Sequence, residues 1–180
     1  GYTHIKAVTP DGAPFPLPKE IRVNAEGSPF RFVPNQDAIV YALGTTGHGG
    51  NFYWADLNTG VSRQLTNLKQ GFQMASFDVT PDGKTVWAAN AQDGTITAID
   101  VASKTVATFN ANVQGANRLK FTPDGSQALV STLGAPELKV IRVSDRSEVK
   151  RIPVGTGAAG IEIQPNGARA YVACSPDNYV

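Results

Sequence analysis

Pro34, Pro81, Pro123 and Pro165 stand 47, 42 and 42 residues apart, and each belongs to a short polar turn between apolar runs. The turns read Pro34-Asn35-Gln36-Asp37, Thr80-Pro81-Asp82-Gly83, Thr122-Pro123-Asp124-Gly125 and Gln164-Pro165-Asn166-Gly167. Proline presets φ at the first corner of such a turn and glycine accepts positive φ at its end, so one tetrapeptide returns because one corner returns. A period of this size marks an array of supersecondary units. Between the turns no long stretch holds a helical period. Short alternating runs such as Thr95-Ile96-Thr97-Ala98-Ile99 recur instead, bounded by Gly, Pro, Asn and Asp. Four such strands fit each period, which is the content of a propeller blade.

Written out, one unit has strands at Ala75–Val79, Thr85–Ala89, Thr95–Val101 and Thr105–Asn110, and the next at Asn117–Phe121, Gln127–Ser131, Leu138–Val143 and Glu148–Pro153. An earlier unit runs through Phe30–Val33, Ala38–Ala42, Asn51–Leu57 and Ser62–Thr66. The recurring turn joins the first two strands (A and B) of each. Tyr2–Pro18 aligns with Asn51–Thr66 at an offset of 48, which makes it strands C and D of a blade, while Ala159–Gln164 and Ala168–Cys174 supply A and B. The expected fold is therefore all-β: a β-propeller of four blade equivalents of four antiparallel strands, with split terminal half-blades that complement each other. Its parts are a half-blade over 1–27, blades over 28–70, 71–113 and 114–155, and a half-blade over 156–180. The halves can meet within one chain, closing four blades, or between two chains, closing an eight-bladed homodimer. The shallower angle between blades favours the second. A chain left open would aggregate through its unpaired strand edge.

The stretches "TPDGKTVWAAN", "DGTITAIDVASKTVATF" and "RSEVKRIPVGTGAAGIEIQPNGARAYVAC" resemble YVTN-type propeller repeats across residues 71–180. Residues 1–70, with Asp56-Leu57-Asn58-Thr59-Gly60 and Gln64-Leu65-Thr66, look like TolB-type repeats. The internal spacings differ accordingly: Pro81–Trp87–Asp100–Pro123 and Pro123–Leu129–Arg142–Pro165 both run 6, 13 and 23, while Pro34–Tyr41–Asp56–Pro81 runs 7, 15 and 25. Two repeat lineages joined near residues 71–80, by recombination or by engineering, would account for this. The resemblance implies a bacterial protein outside the cytoplasm, in the periplasm or at the cell surface. It implies no single activity, because propellers of both kinds serve many roles.

Bulk charge narrows the partners. Sixteen Lys and Arg against 15 Asp and Glu give a formal +1, without the concentrated basic face that nucleic acid demands. Lys139, Arg142, Arg146, Lys150 and Arg151 form the densest basic stretch; Asp145 and Glu148 interrupt it, and it reads as a solvated strand face. The single cysteine, Cys174, excludes an intrachain disulfide and reads as a small buried apolar group. No apolar run is long enough for a membrane span. Without an initiator Met or a signal peptide, the chain reads as a mature or excised segment.

Residues with chemistry are few. Gly155-Thr156-Gly157-Ala158-Ala159-Gly160 fits G-x-G-x-x-G, but a strand and turn follow where a dinucleotide site needs a helix, so the glycines read as a connection between blades. His4 and His48 are the only histidines, too few for a metal centre, so neither metal nor cofactor is expected. Asp11, Asp82 and Asp124 sit in turns, and Asp56 and Asp100 end C strands. The loops of one propeller face would display His48, Gln73, Met74, Asn90, Gln92, Asp93, Asn117 and Arg118. Arg118, a long donor beside the axis, is the leading candidate for a contact; pairing with a neighbouring blade's carbonyls is its competing role. The expectation is a non-enzymatic scaffold that binds a protein or small molecule. A cofactor- or metal-dependent propeller enzyme is the alternative, and a half-ring whose property is self-assembly is a third.

Overall fold

The computed structural model describes residues 1–25, 29–44, 50–68 and 74–175, with the backbone alone at Met74. Every regular element among them is a β-strand, and every strand pair is antiparallel. The chain divides into two compact units, Gly1–Phe72 and Gln73–Val180.

The first unit holds β1 (Tyr2–His4), β2 (Ala7–Val8), β3 (Pro14–Phe15), β4 (Arg22–Asn24), β5 (Phe30–Phe32), β6 (Ala38–Leu43), β7 (Asn51–Asp56) and β8 (Ser62–Gln64). Strands β5 to β8 form one four-stranded sheet in sequence order. The β2–β3 hairpin falls where the offset of 48 places a C–D pair. Pairing of β1 with β4, His4 opposite Arg22, lies outside the sequence expectation. Its physical reason is that Ile21 and Val23 alternate into the core with Ile39, Tyr41 and Ala55, which carries the chain back beside β1.

The second unit repeats more regularly. One sheet is β9 (Met74–Val79), β10 (Thr85–Asn90), β11 (Thr95–Asp100) and β12 (Val106–Asn110). The next is β13 (Ala116–Phe121), β14 (Gln127–Thr132), β15 (Glu137–Arg142) and β16 (Glu148–Pro153), and β17 (Ala158–Ile163) pairs with β18 (Ala170–Cys174) alone. Residues on both faces of the inner strands β10 and β14 are buried, so these strands read as unbroken apolar runs. Outer β12 alternates between exposed and half-buried positions. Trp87, 2% exposed, packs edge-on against Phe109 and Phe121 at 5.1 and 5.3 Å, joining the two sheets around Leu119, Val130 and Ile141. Burying such a side chain contributes about 1.5–3 kcal/mol. All-β architecture with blade-like sheets is thus as expected; no sheet closes on itself among the described residues.

The repeated turn is built from side chains as well as backbone. Thr80 Oγ1 donates to Asp82 Oδ1 at 2.6 Å and accepts from Thr85 N at 3.0 Å, and Gly83 (φ 72) donates to Thr80 O. Thr122, Asp124, Gly125 and Gln127 repeat the arrangement. A Cβ on Gly125 would stand 3.3 Å from Pro81 Cδ, and one on Gly167 3.6 Å from Pro123 Cδ. Pro81 and Pro123 therefore lie against the glycine of the following turn, closely enough at Gly125 to add a steric reason for glycine to its positive φ.

Candidate functional site

At one end of the two four-stranded sheets of the second unit lies a cleft of about 630 Å³. Its wall is made by Asn110 at the end of β12, by Asn112, Gln114 and Gly115 in the connection to β13, and by Thr132, Gly134, Ala135 and Glu137 around the β14–β15 loop. Asp93, from the β10–β11 turn, and Arg151, on β16, complete it. The volume suits a small ligand, and the lining is strongly polar.

Below the cleft runs a chain of charges. Lys139, on β15, is 0% exposed, and its Nζ donates to Ala111 O at 2.7 Å, Asn112 O at 2.9 Å and Glu148 Oε2 at 2.9 Å. Arg151 Nε and Nη2 donate to the two Glu148 oxygens at 2.8 and 3.2 Å, and Arg151 Nη1 reaches Glu137 Oε1 at 3.0 Å. Residues three apart on a regular strand point to opposite faces, and a bulge in β16 opposite Val140 and Ile141 turns Glu148 and Arg151 to the same one. Hydrogen bonds from Arg151 and then Lys139 hold the Glu148 carboxyl down at about 2, and the two glutamates push the Arg151 guanidinium up.

The solvated-face expectation fails at Lys139: its head reaches main-chain carbonyls of the preceding sheet's connection, where water is shut out and carbonyls take its protons. The other candidates scatter. Asp93 lines the cleft and accepts from Thr95 N and Oγ1. Asn90 is buried, bracing the β10–β11 turn through Thr95 and Thr97 rather than displaying its amide. Asn117 donates across to Ala158 O and Ala159 O of the next sheet. Arg118 Nη1 donates to Asn117 O and Oδ1, the main-chain and side-chain oxygens of its own neighbour. His48 and Gln73 lie outside the described residues, as does the Met74 side chain. His4 sits 3.0 Å from Glu20. Cys174 is a buried free thiol. Among the described residues no three His, Cys, Asp or Glu gather as a metal set, and no helix is long and apolar enough to cross a membrane.

Sequence reasoning missed Glu137, Lys139, Glu148 and Arg151 as a group. Their signal lies in comparing repeats: 42 residues earlier stand Thr95, Thr97, Val106 and Phe109, none of them charged.

No family model matches the chain, and no curated protein does. Solved structures do. Hydrazine synthase of Kuenenia stuttgartiensis is similar with a TM-score of 0.67 and 21% identity, over 81% of this chain and 41% of that one. A protein of Bacteroides fragilis provisionally named a 6-phosphogluconolactonase is similar with a TM-score of 0.70 and 19% identity, over 97% of this chain and 58% of that one. At these identities the likeness shows the fold, and the chain spans about half the length of either protein. The expectation of a non-enzymatic scaffold is corrected here. Both similar proteins carry enzyme names, which backs the alternative, an enzyme on this fold, better than a binding scaffold.

Proposed function

We propose that the chain is part of a hydrolytic propeller enzyme whose cleft takes an uncharged, hydroxyl-rich cyclic ester, a sugar-acid lactone. One observation carries this reading: the cleft gathers two carboxylates, Asp93 and Glu137, the Arg151 guanidinium and the amides of Asn110, Asn112 and Gln114. Sugar hydroxyls both donate and accept; carboxylates accept, guanidinium donates and amides do both, so the lining matches a polyol. The lactone class is suggested by the name of the Bacteroides fragilis protein. Phosphate is disfavoured by the charge count, since one cation against two carboxylates is a poor seat for a dianion.

Lactone hydrolysis adds water to the carbonyl carbon, breaks the ring C–O bond, and moves the water's proton to the departing alkoxide. Asp93, held by neutral donors from Thr95, is the group to take and return that proton. Glu137 is engaged by Arg151 and suits substrate hydroxyls better. Arg151 spends three of its five N–H groups on Glu137 and Glu148, leaving two for the oxyanion.

Acid release from gluconolactone and its phosphorylated form, followed in a pH-stat with and without the purified chain, tests this. Acceleration that is greater for the unphosphorylated lactone and about 100-fold weaker in Asp93→Asn is expected. If neither lactone is hydrolysed faster than in buffer alone, the reading is wrong.

A further inference from the structure

We infer that Lys139 is the positioning residue of the cleft: its buried ammonium fixes the connection 111–115 and orients Arg151, so that two walls of the site share one anchor. The connection is held from several sides. Ala111 N and Val113 N both donate to Gly94 O, at 3.1 and 3.2 Å, and Gly115 N donates to Ala91 O at 3.1 Å. On the other side Leu133 N donates to Gly115 O at 2.9 Å. Small residues let it pass: a Cβ on Gly94 would come 3.3 Å from Val113 N, and one on Gly115 3.4 Å from Gly134 N. Within this frame Asn112 adopts φ 50 and Gly115 φ 69. Asparagine tolerates positive φ better than other side-chained residues, and Asn112 N is further held by Asn110 Oδ1 at 2.9 Å.

Lys139 holds the same segment from below. All three of its donors are used, two on the Ala111 and Asn112 carbonyls and one on Glu148. Through Glu148 the same ammonium sets the carboxylate that grips Arg151 in a fork. Stability alone does not call for such a residue, because a buried ion pair is often no better than apolar groups of similar size. The preceding sheet makes the point within this chain: Thr97 fills the matching position, bonded to Asn90 and Thr108, beside an uncharged strand. What the charge supplies is a single arrangement of the main-chain carbonyls and of Arg151.

The effect on turnover rests on the reading of the cleft as the substrate site, whereas the effect on the connection does not. Lys139→Met keeps the apolar stem and removes the three donors, and Lys139→Arg restores donors. Hydrogen exchange is read at the amides of Gly115 and Leu133, with those of β10 as the control for global opening. The expected result for Lys139→Met is exchange at least tenfold faster at Gly115 and Leu133 with β10 unchanged, partly reversed in Lys139→Arg. Gluconolactone kcat/KM falls tenfold or more in Lys139→Met and recovers in part with Lys139→Arg. Should Lys139→Met fail to fold, Glu148→Gln gives the same local pattern at smaller amplitude. Wild-type exchange at Gly115 and Leu133, or equal acceleration there and in β10, overturns the positioning role. Local loosening in a protein whose wild type hydrolyses neither lactone leaves the positioning role standing and overturns the lactone reading alone.

Discussion

Two consecutive sheets of the second unit use matching ladder positions in opposite ways. Where β11 and β12 place Thr97, Val106 and Thr108, β15 and β16 place Lys139, Glu148 and Arg151. In the first sheet Phe109 closes over Trp87, and Thr97 is satisfied by short hydroxyl and amide bonds. In the second a bulge admits one more residue, and the ladder becomes a charged chain running from the buried interior to the cleft wall. The backbone ladder tolerates either solution. The difference teaches that this repeat keeps its first three strands packed in both sheets and tolerates either hydroxyl pairs or a charged network where the third strand meets the fourth.

The widest gap between the two sheets should appear on removing the apolar hub. Trp87→Ala is expected to cost about 3–5 kcal/mol in a denaturant titration, since the cavity opens between two sheets at once. A loss below about 1 kcal/mol would break the idea that the first sheet is the packing one. Next comes the charged solution tested against the apolar one. Lys139→Thr alone should cost about 1–3 kcal/mol, because it strands the Ala111 and Asn112 carbonyls. Adding Glu148→Val, which copies the earlier sheet, should recover part of that loss; a purely additive double variant would show that the pair does not act as one.

Gly125→Ala, at φ 70 and against Pro81, should cost about 1–2 kcal/mol and leave the cleft untouched, so lactone turnover and stability would part company. The smallest effect is in acid. Glu148 titrates near 2 in the fold against an ordinary 4.5, so what it contributes is complete above about pH 4.5 and is lost as pH falls towards 2. Asp145, held down at about 2 first by Ser147, changes in the same window. The informative quantity is therefore the difference between wild type and Glu148→Gln, whose stability should vary less with pH below 4.5. Parallel curves for the two would detach Glu148 from the network.

Much of the fold was legible because its cause is local. The Thr-Pro-Asp-Gly turn needs only Thr80, Asp82 and Gly83 in order, and short apolar runs must follow it on either side, so strand boundaries in the second unit could be read to within a residue or two. The β1–β4 pair was not legible: it depends on Ile21 and Val23 finding Ile39 and Tyr41, a contact that no period announces. The cleft was read at Asp93 and missed at Arg151. A basic residue on an outer strand reads as solvated unless the bulge that brings Glu148 alongside it is known, and a bulge leaves no mark on a repeat whose length stays at 42. Lys139 was misplaced for a related reason: two of its three partners are main-chain carbonyls, which carry no sequence at all, and the third is the Glu148 that the bulge brings round.

In the second unit the proline of one turn rests on the glycine of the next, Pro81 on Gly125 and Pro123 on Gly167. Such a contact has a direction, like a stud and its socket. A unit that carries both fittings can be duplicated, dropped or exchanged as a block, because the junction it leaves behind is the junction its neighbour already made. The number of units is thus a parameter that the turn chemistry does not set, and gene duplication can change it without inventing a new interface.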